Sequence, residues 1–87
     1  MSEDDDLHVV PIEEQIDLHF FAPRDVPSVV DEYLRAAHEA GLREVRLIHG
    51  RGKGVQRQVV QRLAERHPLV IELYSDGLGS TIVRLRA

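Results

Sequence analysis

A chain of 87 residues, 43% of them hydrophobic, holds one domain near the lower size at which a core is stable unaided. It contains no cysteine, which excludes disulfides and thiolate zinc sites and suits a reducing, cytoplasmic setting. The formal charge of −4 is unevenly spread: six of the fifteen acids lie within positions 1–14, which hold no Lys or Arg, so residues 15–87 carry +2.

The first element is a like-charge block, "SEDDD", and residues 1–11 read as an acidic disordered tail ahead of a domain spanning 12–87. No cationic stretch precedes an apolar one there, so no secretory signal is expected. Nor does any apolar run approach the roughly 20 residues of a membrane span.

"IDLHF" (16–20) alternates, placing Ile16, Leu18 and Phe20 on one face of a strand and Asp17 and His19 on the other. "FAPRDVP" is a loop in which Asp25 is the expected N-cap of a helix and Pro27 occupies its first turn. Val26, Val29, Val30, Tyr33, Leu34 and Ala37 form that helix's apolar stripe. Gly41 should end it, with Leu42 packing back.

"EVRLIH" (44–49) is a second strand, followed directly by "HGRGKG" (49–54). A second helix begins at Val55, with Val55, Val59, Val60 and Leu63 expected inward and Gln56, Arg57, Gln61, Arg62 and Glu65 outward. Pro68 stops it. "LVIELY" (69–74) and "TIVRLR" (81–86) are strands joined by the glycine-bearing turn "SDGLGS". The order β-α-β-α-β-β predicts an α/β two-layer sandwich: a four-stranded mixed, mostly parallel sheet with two helices on one face and a final antiparallel hairpin. Val83 and Leu85 should face inward, Arg84 and Arg86 outward.

Three glycines in six positions need a physical reason, since glycine is costly to order. A strand, a glycine-rich turn and a helix start together aim backbone N–H groups at an anion. The spacing matches neither G-x-G-x-x-G nor G-x-x-x-x-G-K-[ST], so no dinucleotide or P-loop fingerprint is present. A plain flexible turn is the alternative. His49 in front, with Arg51 and Lys53 between the glycines, favours an anion site. Residues 44–66 hold six cations and two acids, a balance that suits a polyanionic partner or a solvated helix face. Asp17 and His19 form a second constellation: alternate strand residues project side by side, where they can orient a base, relay a proton or hold a metal.

Taken together, "IDLHF" and "HGRGKG" resemble the two signatures of the Smr domain family, an LDLHG stretch on the first strand and HGxGxG after the second. "GLREVRLIHGRGKGVQRQVVQRLAERHPLV" and "GLGSTIVRL" are similar to the family's central and final regions, so the resemblance covers about residues 12–87. It implies a fold like the C-terminal domain of translation initiation factor three. It also implies one of three activities: nicking or cleaving DNA, RNA endonuclease action, or nucleic-acid binding alone. Asp17 and His19 correspond to the first signature, and His49, Gly50, Gly52 and Gly54 to the second. Phe20 stands where that first signature ends in glycine, which bears on cleavage more than on binding.

The leading reading is a nuclease acting on DNA or RNA, with Asp17, His19 and His49 as its catalytic residues. Either His19 or His49 moves the proton, and Asp17 orients an imidazole. Gly50, Arg51, Gly52, Lys53, Gly54 and Arg57 hold the phosphate. An RNA 2′-OH could serve as nucleophile; DNA needs an activated water, for which Mg²⁺ or Mn²⁺ on Asp17 is one route. The competing readings are a non-catalytic module for structured nucleic acid, and a binder of small phosphates or of protein. A monomer without membrane association is expected. His8, His38 and His67 read as solvated or capping, Tyr33 as core, and Phe20 or Phe21 as loop packing or a base-stacking surface.

Overall fold

The computed structural model describes residues 12–50, 55–77 and 79–87. The expectations for the acidic tail and for Arg51, Gly52, Lys53 and Gly54 lie outside them. Strands β1 (Gln15–Asp17), β2 (Glu44–Ile48), β3 (Val70–Asp76) and β4 (Ser80–Leu85) and helices α1 (Val26–Glu39) and α2 (Val55–Glu65) follow one another in the expected order.

The strands form one mixed sheet in the order β1-β2-β4-β3. β1 runs parallel to β2, while β4 is antiparallel to both β2 and β3. The expected final hairpin is present, but it folds inward. β4 lies between β2 and β3, so one of the three neighbouring pairs is parallel rather than most of them. The sequences account for this order. β4, STIVRL, is buried at every position but Arg84 and suits the sheet interior. β3 carries Glu72, Ser75 and Asp76 and an irregular register between Val70 and Glu72, features that suit an edge.

The register divides the sheet into two faces. Ile16, Leu47 and Thr81 align on one, with Val45, Val83 and Leu73 in the next row. This face meets both helices in a single core that includes Leu18, Val30, Leu34, Ala37, Val60 and Ala64. The other face carries Arg46, Ile48, Ile82, Arg84, Glu72 and Tyr74. There Arg84 reaches Glu72 at 3.1 Å and Arg46 reaches Asp76 at 2.8 Å.

α1 ends as expected. Gly41, at φ 86°, donates to His38 O at 3.0 Å and Leu42 N donates to Ala37 O at 3.0 Å, a Schellman closure that packs Leu42 on the core. Its start differs. The Asp25 side chain makes no cap bond, because a 3₁₀ turn, Pro23–Asp25, leads straight into the helix. Tyr33 is buried as expected. Its hydroxyl donates to Glu13 O at 2.6 Å, and burial, followed by the charges of Glu13 and Glu14, raises its pKa to about 12. In α2 the inward stripe is Val60, Leu63 and Ala64; Val59 is 40% exposed and Gln61 turns toward the sheet, reversing both expectations.

His67 is buried rather than solvated. Its Nε2–H donates to Asp31 Oδ1 at 2.8 Å while its Nδ1 accepts from Leu69 N–H at 3.2 Å, tying α1 to the segment after α2. The His67 hydrogen bond, together with Arg35, holds the Asp31 carboxyl below its ordinary 3.8 despite partial desolvation. A group whose folded pKa is depressed adds stability that is complete above the unfolded value and disappears as pH falls through the folded one. Thermal melts are therefore expected to show Tm falling as pH drops below about 3.8, the unshifted value. Asp31→Asn should flatten this part of the curve.

Candidate functional site

β1 stops at Asp17 because the carboxylate folds back on the chain. Asp17 Oδ1 accepts the His19 N–H at 2.9 Å and Phe21 N donates to Leu18 O at 3.1 Å, closing a 3₁₀ turn over Leu18–Phe20. The turn buries Leu18 and leaves His19 exposed and Phe20 79% exposed. The strand alternation expected through Phe20 therefore ends three residues early. Asp17 supports the backbone that carries His19. The His19 ring meets Phe20 edge to face, with centroids 5.1 Å apart and planes at 61°.

β2 ends at Ile48, and His49 turns onto the helix side, where it is 4% exposed. Its Nε2 lies 3.0 Å from Thr81 Oγ1 and its Nδ1 lies 3.1 Å from Gly50 O. A carbonyl only accepts, so Nδ1 carries the proton and Nε2 takes the Thr81 hydroxyl hydrogen. The Gln61 amide supplies the other half of the arrangement, donating to Thr81 Oγ1 at 3.0 Å and to Ser75 Oγ at 3.1 Å. The backbone adds two further ties: His49 N and Gly50 N both donate to Gly79 O, at 2.9 and 3.0 Å. Gly50 adopts φ 89°, and an added Cβ would meet nothing within 4 Å, so its conformation rather than lack of space requires glycine.

The parallel register sets Asp17 beside Ile48. The His19 turn and the His49–Gly50 segment thus leave the same end of neighbouring strands, the carboxyl end at which open α/β sheets bind ligands. The side chains of Asp17 and His49 point to opposite faces: Asp17 follows the Ile48 side of the pleat, and His49 the Leu47 side. The two expected motifs meet at one sheet end, but Asp17 and His49 do not share a face. Arg57 is half-buried in the first turn of α2. Among the described residues no three His, Asp or Glu side chains converge as a metal site.

Sequence reasoning missed Thr81, Gln61 and Gly79. The only signal for Thr81 was a hydroxyl at an inward strand position, and Gln61 looked like one more polar residue on a solvated face.

Comparison with known proteins decides the family. Residues 16–86 match the Smr domain. The chain belongs to the Smr family. It is similar to the endonuclease MutS2 of Caldicellulosiruptor saccharolyticus, 48% identical over 66% of this chain and 8% of that protein. Similarity to the endonuclease MutS2 of Clostridium tetani is 35% over 92% of this chain and 11% of that one. The chain thus spans about a tenth of the length of these curated relatives. The crystal structure of the Smr domain of Thermus thermophilus MutS2 superposes with a TM-score of 0.80 at 30% identity, covering 86% of this chain and all of that one.

Within this Smr domain the Thr81 hydroxyl has no substitute. Thr81→Val keeps the shape but leaves the His49 Nε2 and a Gln61 N–H unpaired in a buried place. The expected cost is about 1–3 kcal/mol, read from chemical denaturation. The His49 ring signals should shift in NMR spectra of the folded variant.

Proposed function

We propose that this Smr domain binds nucleic acid and cleaves phosphodiester bonds. The observation that supports this reading is the juxtaposition of the exposed Asp17–His19 turn with the start of the glycine stretch, at the carboxyl ends of two parallel strands. The similarity to endonucleases agrees with it.

In this reading His19, the exposed imidazole, takes the proton from the attacking oxygen, which is an RNA 2′-OH or a water. Asp17 acts by holding the turn that presents His19. The amides of Gly50, Gly52 and Gly54, with Arg51, Lys53 and Arg57, hold the phosphate and the charge that develops on it. His49 takes the part of an anchor: its ring nitrogens are engaged by Thr81 and Gly50, and it fixes where the glycine stretch begins. That same burial favours a second reading, a binding module without turnover, because it withdraws one of the three expected proton-transfer groups from a substrate.

Supercoiled plasmid, single-stranded DNA and hairpin RNA, each with and without Mg²⁺ or Mn²⁺, separate the two readings. Cleavage of at least one is expected, and His19→Ala should slow it by about 10²–10⁴. Asp17→Ala, which removes the cap on the turn, should slow it less, while Asp17→Asn, which keeps an acceptor, is close to the parent. Binding without cleavage establishes the second reading. For duplex DNA, the paired change Arg51→Ala, Lys53→Ala should weaken binding across sequences. It should also flatten the log–log salt dependence by somewhat less than about 2, since each phosphate contact contributes about 0.9.

A further inference from the structure

Phe20 is 79% exposed, more than any other large apolar side chain among the described residues, of which the next is Ile71 at 50%. It is not the loose end of a loop. The turn that carries it is closed by the Asp17 cap and the Phe21–Leu18 bond and rooted in the core through the fully buried Leu18. A phenyl ring is thus held out toward water on a closed turn. His19 meets it edge to face, an arrangement that, unlike a stacked pair, leaves ring surface unpaired. The location is specific too. β1 is an edge strand whose neighbour β2, about 4.8 Å away across the ladder, leads into His49–Gly50 and the glycine stretch.

We infer that Phe20, supported by His19, is a stacking platform for one unpaired nucleobase of a single strand that passes the carboxyl ends of β1 and β2. This rests on the nucleic-acid reading above and narrows it to single-stranded regions of DNA or RNA. Bases inside a duplex are already stacked on both faces, so a lone projecting ring can stack only on a base in a single strand, a bulge or an end. A π-face accepts any base, so the platform contributes affinity without sequence preference.

The test is equilibrium binding of the full chain to short single-stranded DNA and RNA of mixed sequence and to a relaxed closed-circular duplex, which offers no end for stacking. Phe20→Ala is expected to weaken single-strand binding by roughly 5- to 150-fold and to leave duplex binding unchanged. Phe20→Tyr should bind like the parent, and Phe20→Leu, apolar but without a π-face, should bind like Phe20→Ala. An oligonucleotide with an abasic residue at the stacked position should be bound equally by the parent and Phe20→Ala. The inference is overturned if Phe20→Ala keeps the parent's single-strand affinity, if Phe20→Leu restores it, or if single strand and duplex weaken together. Sedimentation of parent and Phe20→Ala adds a further check: a parent dimer that dissociates on substitution, with nucleic-acid binding unchanged, assigns the surface to a second copy instead. Parent protein that binds duplex and no single strand defeats this inference alone. Parent protein that binds neither defeats the nucleic-acid reading along with it.

Discussion

The hydroxyl of Thr81, on β4, ties the helix α2 to the hydrogen-bonded pair of strands β2 and β4. It takes a hydrogen bond from Gln61 of α2 and gives its own hydrogen to His49 at the end of β2, in a position without solvent access. An unpaired polar group there would cost about 1–3 kcal/mol, so none of the three side chains can rotate away independently. His49 extends the arrangement through Gly50 O, and the backbone N–H groups of His49 and Gly50 carry it on to Gly79 in the β3–β4 turn. The end of β2, the approach of α2 and the hairpin turn are therefore one hydrogen-bonded unit. The glycine stretch begins from a fixed point even though glycine itself imposes little order.

This arrangement divides the residues of the two motifs by face. Successive residues of a strand point to opposite sides of the sheet, so Asp17, in register with Ile48, and His49, one position further along the neighbouring strand, cannot share a side. A carboxylate and an imidazole on opposite faces do not form a dyad. One imidazole stands exposed on a capped turn, and the other is buried and hydrogen-bonded at the end of β2. Sites whose supporting shell is locked by packing and hydrogen bonds hold their geometry better than sites on free loops.

Much of this was legible in the sequence, for identifiable reasons. The apolar stripe of α1 and its Gly41–Leu42 ending were visible because helix period and C-cap chemistry are local. The alternation in β2 and β4 was visible because one face of each packs on the helices. What stayed hidden depended on partners distant in sequence. Asp17 is a strand residue, as its alternation suggests, but its second use as a cap shows only when the His19 N–H needs an acceptor. Gln61 looked solvated because its partners, Ser75 and Thr81, lie on two other strands. The place of β4 was not written in the order of elements either. A hairpin after a crossover can add at the edge or fold inward, and the apolar content of STIVRL against the charged, irregular β3 is what selects the inner position.

The same long-range view changes the meaning of the charge count. Six cations between residues 44 and 66 suggest one basic surface, yet the fold separates those among the described residues. Arg46 lies on the face away from the helices, bridged to Asp76 at 2.8 Å and neighbour to a second pair, Arg84 with Glu72. Paired acids thus offset the cations of that face, and a polyanion gains little from it. Arg62 and Arg66 lie at the far end of α2, around a shallow cleft shared with Val59 and His67. Arg57 stands in the first turn of α2, at the end where the helix dipole is positive. Arg51 and Lys53 fall in sequence between Gly50 and that helix start. What each cation can face is therefore set by its place in the fold. Net charge, whether −4 for the chain or positive for the segment, is a poor guide to it.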